Sequence, residues 1–127
     1  MNQRIRINDW ERLDDLQCKG LKIIQDTRGF CFGVDAVLLA NFTEVKNGNS
    51  VIDLGTGTGV IPLILTTRAR NLEITGVEIQ EEIALMAQRS IKLNNLEQVT
   101  IFNADLRALG PEHYGKYDLV VSNPPYL

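Results

Sequence analysis

Histidine and cysteine are scarce in this sequence, whose 127 residues include one histidine, His113, and two cysteines, Cys18 and Cys31. A single histidine excludes metal sites built on several histidines and argues against a serine-histidine-aspartate triad. Two cysteines without C-x-x-C or metal-ligand spacing predict reduced thiols. No apolar run approaches the roughly 18 residues that cross a bilayer, and the first residues lack the apolar stretch of a signal peptide. We therefore expect a cytoplasmic protein without a metal or a membrane partner.

The sequence also lacks a stripe of basic side chains. The net charge is −3, with 13 basic and 16 acidic side chains. Nucleic-acid binding normally relies on clustered lysine and arginine. A nucleic-acid substrate would thus need a basic surface that this chain does not carry.

The first third of the chain predicts a lead-in rather than a sheet. Residues 21–25 read as a strand, a turn signal follows, and residues 30–32 form a second short strand of a hairpin. Asp35 is a suitable N-cap for an apolar helix over residues 36–42. We place the boundary between the lead-in (1–33) and the following domain (34–127) at this helix.

From residue 50 onward, strands and helices alternate. The predicted strands cover 51–54, 72–78, 99–102 and 117–122, and the predicted helices cover 60–69 and 80–94. Pro62 falls in the first turn of its helix, where a missing N–H costs nothing. This order predicts an α/β fold with a parallel, doubly wound sheet.

A glycine-rich turn, Asp-Leu-Gly-Thr-Gly-Thr-Gly over residues 53–59, joins the first sheet strand to its helix. Glycines allow a ligand close to the backbone, and the helix start offers free N–H groups. The alternative is a tight turn without a ligand. The G-x-G-x-G spacing differs from the G-x-G-x-x-G of nicotinamide binders. Asp53 suits either a positively charged ligand or the N–H groups of the loop itself.

Acidic residues also end the next two strands. Glu78 follows the second strand and Asp105 the third. A carboxylate at such a position can accept both hydroxyls of a ribose, and ligands of open α/β sheets sit at these carboxyl ends. Either residue alone could be a solvated charge. Together with Asp53 and the glycine loop, they predict a nucleoside cofactor.

The sequence ends with Asn-Pro-Pro-Tyr-Leu, residues 123–127, directly after an apolar strand. Two prolines stiffen the backbone and lack N–H donors. An asparagine amide, a fixed carbonyl and an aromatic face together predict a site for a planar amino group. The alternative is a proline-rich exit from a strand.

These motifs, in this order, resemble those of class I S-adenosylmethionine-dependent methyltransferases, which have a Rossmann-like fold. The resemblance covers residues 30–127, the first four strands of the seven in that fold. It implies that Asp53 organises the glycine loop, that Glu78 holds the ribose hydroxyls, that Ile79 packs on the adenine and that Asp105 accepts from its amino group. The remaining cofactor-binding residues that it implies are Gly55, Thr56, Gly57, Gly59, Ala104 and Asn123.

The Asn-Pro-Pro-Tyr segment resembles that of enzymes that methylate planar NH₂ groups. The resemblance implies that the Asn123 side chain and the Pro124 carbonyl accept the two amino hydrogens, while Tyr126 stacks on the target base. Transfer would be direct and in line, through positioning and stabilisation of the charge that develops on nitrogen. A tuned acid or base is not needed, which fits the shortage of histidine and cysteine.

The segment upstream of the sheet narrows the resemblance. Residues 29–40 are similar to the lead-in of bacterial tRNA(Val) adenine N6-methyltransferases. This implies a tRNA substrate, with Phe32 and Asp35 forming part of the cofactor pocket's wall. Simple core packing by the helix is the alternative.

Other functions remain open. Release-factor glutamine methyltransferases share the Asn-Pro-Pro-Tyr motif, but usually carry a longer helical domain in front. Methylation of guanine or cytosine in ribosomal RNA uses the same chemistry. A nicotinamide-dependent reductase has different glycine spacing, and a non-catalytic RNA- or cofactor-binding fragment would tolerate loss of Asn123 and Asp53.

The resemblance also implies missing parts. Three further strands would follow, so the last strand here should expose an unpaired edge and an apolar face. We therefore expect a biological protein longer than 127 residues, with the isolated chain inactive. The alternative is a dimer in which two chains cover each other's open edges.

Overall fold

A computed structural model describes residues 5–28, 33–113 and 115–123 of the chain. Two strands come first, followed by a helix and then by alternating strands and helices. The elements are β1 (Glu11–Asp15), β2 (Lys22–Asp26), α1 (Val34–Phe42), β3 (Ser50–Leu54), α2 (Val60–Leu65), β4 (Glu73–Glu78), α3 (Glu81–Leu93), β5 (Val99–Asn103), two short 3₁₀ turns (Leu106–Ala108 and Pro111–His113) and β6 (Leu119–Ser122).

The main sheet is four-stranded and parallel, in the order β5-β4-β3-β6. Its strands agree with the predicted ones to within two residues, because each is a short, largely apolar run bounded by turn residues. In register, Asp53 of β3 lies beside Gly76 of β4 and Val121 of β6. The predicted α/β fold with a parallel sheet is therefore confirmed.

The core lies between one face of this sheet and the three helices. Alternate strand residues, such as Val51, Ile74 and Ile101, belong to the same buried cluster as residues of α1, α2 and α3. All six residues of α2 are buried. On the opposite face, the side chains of Phe102 and Val120 are 46% and 61% exposed.

Helix α2 ends at Leu65 and not at residue 69 as the sequence predicted. The N–H groups of Thr67 and Arg68 donate to carbonyls three residues earlier, at 3.0 and 2.9 Å. The Thr67 hydroxyl donates to the carbonyl of Ile64 as well. These tighter bonds replace the α-helical pattern, and two threonine hydroxyls that compete for helix carbonyls favour such an ending.

The N-terminal hairpin differs from the predicted one. Strand β2 agrees with the strand predicted over residues 21–25, but it pairs with β1, antiparallel, from Glu11 opposite Asp26 to Asp15 opposite Lys22. The sequence Glu-Arg-Leu-Asp-Asp of β1 has no apolar alternation, which is why the strand was missed. The predicted partner, residues 30–32, lies outside the described residues.

The hairpin is joined to α3 by polar contacts. The Ile24 N–H donates to Ser90 Oγ at 2.9 Å, which pairs part of the outer edge of β2. Glu11, whose side chain is 1% exposed, forms an ion pair with Arg89 of α3. Hydrogen bonding to Arg89 lowers the pKa of the Glu11 carboxyl. These contacts explain how a charged strand can pack against the domain.

Helix α1 begins one residue before Asp35, and Gly33 is its N-cap. The prediction that Asp35 caps this helix is wrong, because an N-cap residue precedes the first helical residue and Asp35 is the second. The helix exposes Val34 and Phe42, at 72% and 80%.

Strand β6 pairs with β3 and forms one edge of the described sheet. The unpaired edge and the exposed Val120 on it agree with the expectation of an open edge and apolar face. In the described parts of the chain, no helix combines the length and apolarity that crossing a membrane requires.

Candidate functional site

Most of the residues that the sequence singled out lie at the carboxyl ends of the sheet strands. These ends are on one side of the sheet, because the strands are parallel. β3 runs into the glycine loop, β4 ends at Glu78, β5 ends at Asn103 and β6 ends just before Asn123. We call this row of strand ends the carboxyl rim. The predicted site residues on or next to it are Asp53, Gly55, Thr56, Gly57, Gly59, Glu78, Ile79, Ala104, Asp105 and Asn123.

The glycine loop is fastened to the end of β4. The N–H groups of Gly55 and Thr56 both donate to the Val77 carbonyl at 2.9 Å. Gly55 has a φ of 73°, a left-handed conformation that favours glycine. A side-chain carbon at Gly55 would meet no heavy atom within 4 Å. The loop backbone is therefore held from one side and faces open space at Gly55.

Asp53 lies beneath this loop and is fully buried. Its Oδ2 accepts the Thr56 hydroxyl at 2.7 Å, so it contacts the loop through a side chain. Its Oδ1 is buried without a hydrogen-bond partner. Burial raises the pKa of Asp53 to about 7, the Thr56 bond opposes the shift, and the charge of Glu78 adds to it. A buried carboxyl with one free oxygen is a polar group that can still accept a donor.

Glycine is favoured at position 59, the last residue of the loop, for a structural reason that the sequence did not reveal. Its φ is 90°, and a side-chain carbon there would lie 3.4 Å from Cβ of Ala87 in α3. That distance is an ordinary van der Waals contact, so the left-handed backbone conformation at the start of α2, and not a lack of space, favours glycine here.

Glu78 ties the end of β4 to the loop. Its Oε1 accepts the Gly57 N–H at 2.9 Å, and its Oε2 accepts the Gln80 N–H at 3.0 Å. The residue is 7% exposed, whereas its neighbour Ile79 is 59% exposed. Each carboxylate oxygen has a second lone pair available to another donor. Glu78 can thus organise the loop and bind a hydroxyl at the same time.

The segment after β5 is bound to the same strand end. The Asn103 amide donates to the carbonyls of Glu78 and Ile79 at 2.9 and 3.0 Å. The Ala104 N–H also donates to the Glu78 carbonyl, at 3.1 Å. These bonds fix the chain just before Asp105, which sits at the rim.

Asp105 has a partner that sequence reasoning missed. Its carboxylate accepts the Arg107 N–H at 2.9 Å and forms an ion pair with the Arg107 guanidinium. Hydrogen bonding to Arg107 lowers the pKa of Asp105 to about 2. Asp105 is therefore a carboxylate, an acceptor without a proton to give, across the ordinary pH range. An acidic residue two positions before an arginine was the available signal.

Asn123 lies next to the glycine loop. In register, Ser122 lies beside Leu54, and the Ser122 hydroxyl donates to the Leu54 carbonyl at 3.3 Å. Asn123 itself is half-buried. Three predicted site residues, Phe32, Pro124 and Tyr126, lie outside the described residues. Asp35 is exposed in the first turn of α1.

Gly76 is a second position that sequence reasoning missed. It lies inside β4 beside Asp53, and a side-chain carbon there would come within 2.9 Å of Thr56 Oγ1. The signal was a glycine inside a predicted strand, which often marks a close approach.

The described residues hold no metal cluster, and the surface groove that they form lies away from the rim. No group of three or more His, Cys, Asp or Glu side chains suited to a metal occurs within residues 5–28, 33–113 and 115–123. A surface groove of ≈ 540 Å³ runs along α3 and β5, and it includes none of the predicted site residues. The rim is the part of the described chain where polar groups converge.

Residues 32–127 match the model of the methyltransferase small domain family. This match covers most of the chain, including every element from α1 to β6.

Two curated relatives of this chain share one name with each other. The tRNA1(Val) (adenine(37)-N6)-methyltransferase of Tolumonas auensis is 33% identical over 111 residues, which are 86% of this chain and 46% of that protein. Its namesake in Proteus mirabilis is 36% identical over 97 residues, or 75% of this chain and 38% of that protein. The chain thus spans less than half the length of these relatives.

A solved structure supports the fold. Coclaurine N-methyltransferase, bound to N-methylheliamine and SAH, superimposes with a TM-score of 0.60 at 23% identity, covering 69% of this chain and 25% of that one. This similarity identifies the described sheet and helices as a Rossmann-like class I methyltransferase fold.

Proposed function

The chain belongs to the methyltransferase small domain family, and we propose that it carries the S-adenosylmethionine-binding part of a tRNA adenine N6-methyltransferase. One observation carries the proposal. Asn123, which begins Asn-Pro-Pro-Tyr, follows a strand that pairs with β3 at the entrance to the glycine loop. Asn123, the first of the residues proposed to hold the amino group, thus adjoins the loop proposed to hold the methyl donor.

The rim fits S-adenosylmethionine in its donor and acceptor groups. Open space beside Gly55 admits a ligand against the backbone, and the unpartnered Oδ1 of Asp53 can accept a donor. S-Adenosylmethionine supplies a methyl group on a sulfonium. The loop glycines Gly55, Gly57 and Gly59, together with Thr56, form the loop that contacts its methionine part.

The nucleoside part is assigned to the ends of β4 and β5. Glu78 accepts the ribose hydroxyls with its remaining lone pairs, and the exposed Ile79 packs on the adenine. Asp105, held as a carboxylate by Arg107, accepts from the adenine amino group beside Ala104. Phe32 and Asp35 complete the wall in this proposal.

Catalysis is proposed to depend on positioning. The Asn123 side-chain oxygen and the Pro124 carbonyl accept the two hydrogens of the target amino group, which fixes the orientation of its nitrogen. The same two oxygens stabilise positive charge that develops on that nitrogen. Tyr126 stacks on the target base.

The substrate assignment is supported by the relatives, whose name specifies adenine 37 of a valine tRNA. The net charge of −3 gives this part of the protein no general attraction for RNA. We therefore propose that the basic surface for tRNA is supplied from outside these 127 residues. The compartment is proposed to be the cytoplasm, where tRNA is modified.

The test is methyl transfer from labelled S-adenosylmethionine by the whole purified protein, because the isolated 127-residue chain is expected to be inactive. tRNA, ribosomal RNA and a release factor are offered separately. Labelled tRNA is digested to nucleosides, and N6-methyladenosine is identified by mass spectrometry. Asn123→Ala should abolish transfer with only a small loss of affinity for S-adenosylhomocysteine, because most of the proposed cofactor contacts lie on other residues of the rim. Asn41→Ala, at an exposed position on α1, is the matched control and should retain activity.

Each other outcome contradicts a separate part of the proposal. A labelled release factor or ribosomal RNA, with unlabelled tRNA, would replace the substrate. A fully active Asn123→Ala variant would refute the positioning mechanism. Failure to bind S-adenosylhomocysteine would refute the cofactor assignment.

A further inference from the structure

Gly76 stands inside strand β4, where a glycine loses side-chain packing and costs conformational entropy. Its neighbours in register are Asp53 on β3 and Ile101 on β5. A side-chain carbon at Gly76 would lie 2.7 Å from Ile101 Cδ1, 2.9 Å from Thr56 Oγ1 and 3.0 Å from Thr56 Cγ2. These distances are too short for any of the three atoms to stay in place.

Thr56 occupies the space that Gly76 leaves. Its hydroxyl bonds to Asp53 Oδ2 at 2.7 Å, its N–H bonds to the Val77 carbonyl at 2.9 Å, and the residue is 5% exposed. Thr56 is thus fixed at both its side chain and its backbone.

A side-chain carbon at Gly76 would contact the side chains of Ile101 and Thr56, and these two differ in how easily they can move. The Cδ1 atom of Ile101 is the far end of a side chain with two rotatable bonds. Both Thr56 atoms are attached to one Cβ and turn together about a single bond. Moving them breaks the bond to Asp53 or shifts the loop backbone. A substituent at Gly76 therefore acts mainly on Thr56.

We propose that Gly76 is a positioning residue for the glycine loop. Its missing side chain leaves the space in which Thr56 bonds to Asp53, and this bond sets the backbone at Gly55 and Gly57. The inference rests on the proposed function only for the identity of the ligand, S-adenosylmethionine, that the loop receives.

The first test is Gly76→Ala in the purified protein, with the dissociation constant of S-adenosylhomocysteine measured by calorimetry. We expect affinity to fall about tenfold, near the upper end of the net contribution of one ordinary hydrogen bond. The variant should also unfold at a lower temperature, because Ile101 has to move as well.

Two double variants separate positioning from packing. Ile101→Val removes Cδ1, so Gly76→Ala/Ile101→Val should regain stability relative to Gly76→Ala while binding stays about tenfold weaker than in Ile101→Val. Thr56→Ala removes the displaced side chain. In that background, adding Gly76→Ala should change affinity less than about twofold, since coupled sites are not additive.

The opposite results would overturn the inference. Full recovery of affinity with Ile101→Val would mean that Gly76 acts through core packing alone. An unchanged penalty in the Thr56→Ala background would mean that Thr56 is not involved. If Gly76→Ala alone does not fold, the comparison of Gly76→Ala/Ile101→Val with Ile101→Val decides.

A readout without cofactor keeps this inference separate from the proposed function. The Thr56 hydroxyl lowers the pKa of Asp53, so displacing Thr56 should raise that pKa in Gly76→Ala/Ile101→Val but not in Ile101→Val. Carboxyl ¹³C NMR measures it directly. If the protein does not bind S-adenosylhomocysteine, the proposed function fails, yet a raised pKa still supports Gly76 as a positioning residue. An unchanged pKa refutes it.

Discussion

Replacing Asp53 by asparagine is expected to remove a pH-dependent cost of folding. Asp53 is fully buried, with one carboxyl oxygen bonded to Thr56 and the other without a partner. Burial raises its pKa from 3.8 to about 7. The folded protein therefore retains a proton on this carboxyl at pH values where the unfolded chain has lost it.

The sign and size of the effect on stability follow from the difference between the pKa of Asp53 in the folded and in the unfolded state. Between pH 4 and pH 7 the folded state binds more protons than the unfolded state, so the contribution of Asp53 to stability falls as pH rises. At about 1.4 kcal/mol for each unit of pKa, the total loss is roughly 4 kcal/mol, complete above pH 7. Below pH 4 the carboxyl is protonated in both states and the cost disappears.

The measurement is urea unfolding of the wild type and of Asp53→Asn at several pH values from 4 to 8. The free energy of unfolding of the wild type, relative to the variant, should fall by roughly 4 kcal/mol across this range. Asp9→Asn, at an exposed position, controls for the loss of one negative charge. A difference between wild type and Asp53→Asn that does not vary with pH would refute the argument, as would a carboxyl pKa near 4 by NMR.

Two further predictions concern the loop and the hairpin. Gly55→Ala introduces a side chain at a φ of 73° and should cost about 1–2 kcal/mol of stability. It should also weaken S-adenosylhomocysteine binding, whereas loss of stability with unchanged binding would show that Gly55 does not face the cofactor. Ser90→Ala removes the acceptor of the Ile24 N–H and should cost about 1–3 kcal/mol in thermal or urea unfolding. A cost below about 0.5 kcal/mol would indicate that the hairpin edge does not depend on this bond.

Much of the fold could be predicted because its signals are local. The strands of the main sheet are short apolar runs between turn residues, and α3 has apolar side chains at helical spacing. Strand β1 had no such signal, since its stability depends on Arg89, which is far away in the chain. The cap of α1 was assigned to Asp35 because Asp is a good cap, although Gly33 takes that position.

The residues of the candidate site are a prediction from the sequence, and the contacts that they make were not predicted. Asp53, Glu78 and Asp105 were singled out because they lie at or just beyond the carboxyl ends of strands, and parallel strands end on the same side of the sheet. Their partners were not recognised. Thr56 binds Asp53 through its hydroxyl, and Arg107 holds Asp105. Such pairings depend on side-chain directions, which the sequence pattern leaves open.

By itself, the sequence determined the order of strands and helices and the residues at the ends of the strands. Both follow from periodicity and from adjacency along the chain, which short-range sterics and burial fix. Only the tertiary structure decided that β6 lies beside β3, that Gly76 makes room for Thr56 beside Asp53, and that the hairpin packs on α3. These contacts join segments distant in the chain, and their free energy comes from burial and hydrogen bonds that exist only once the elements have packed.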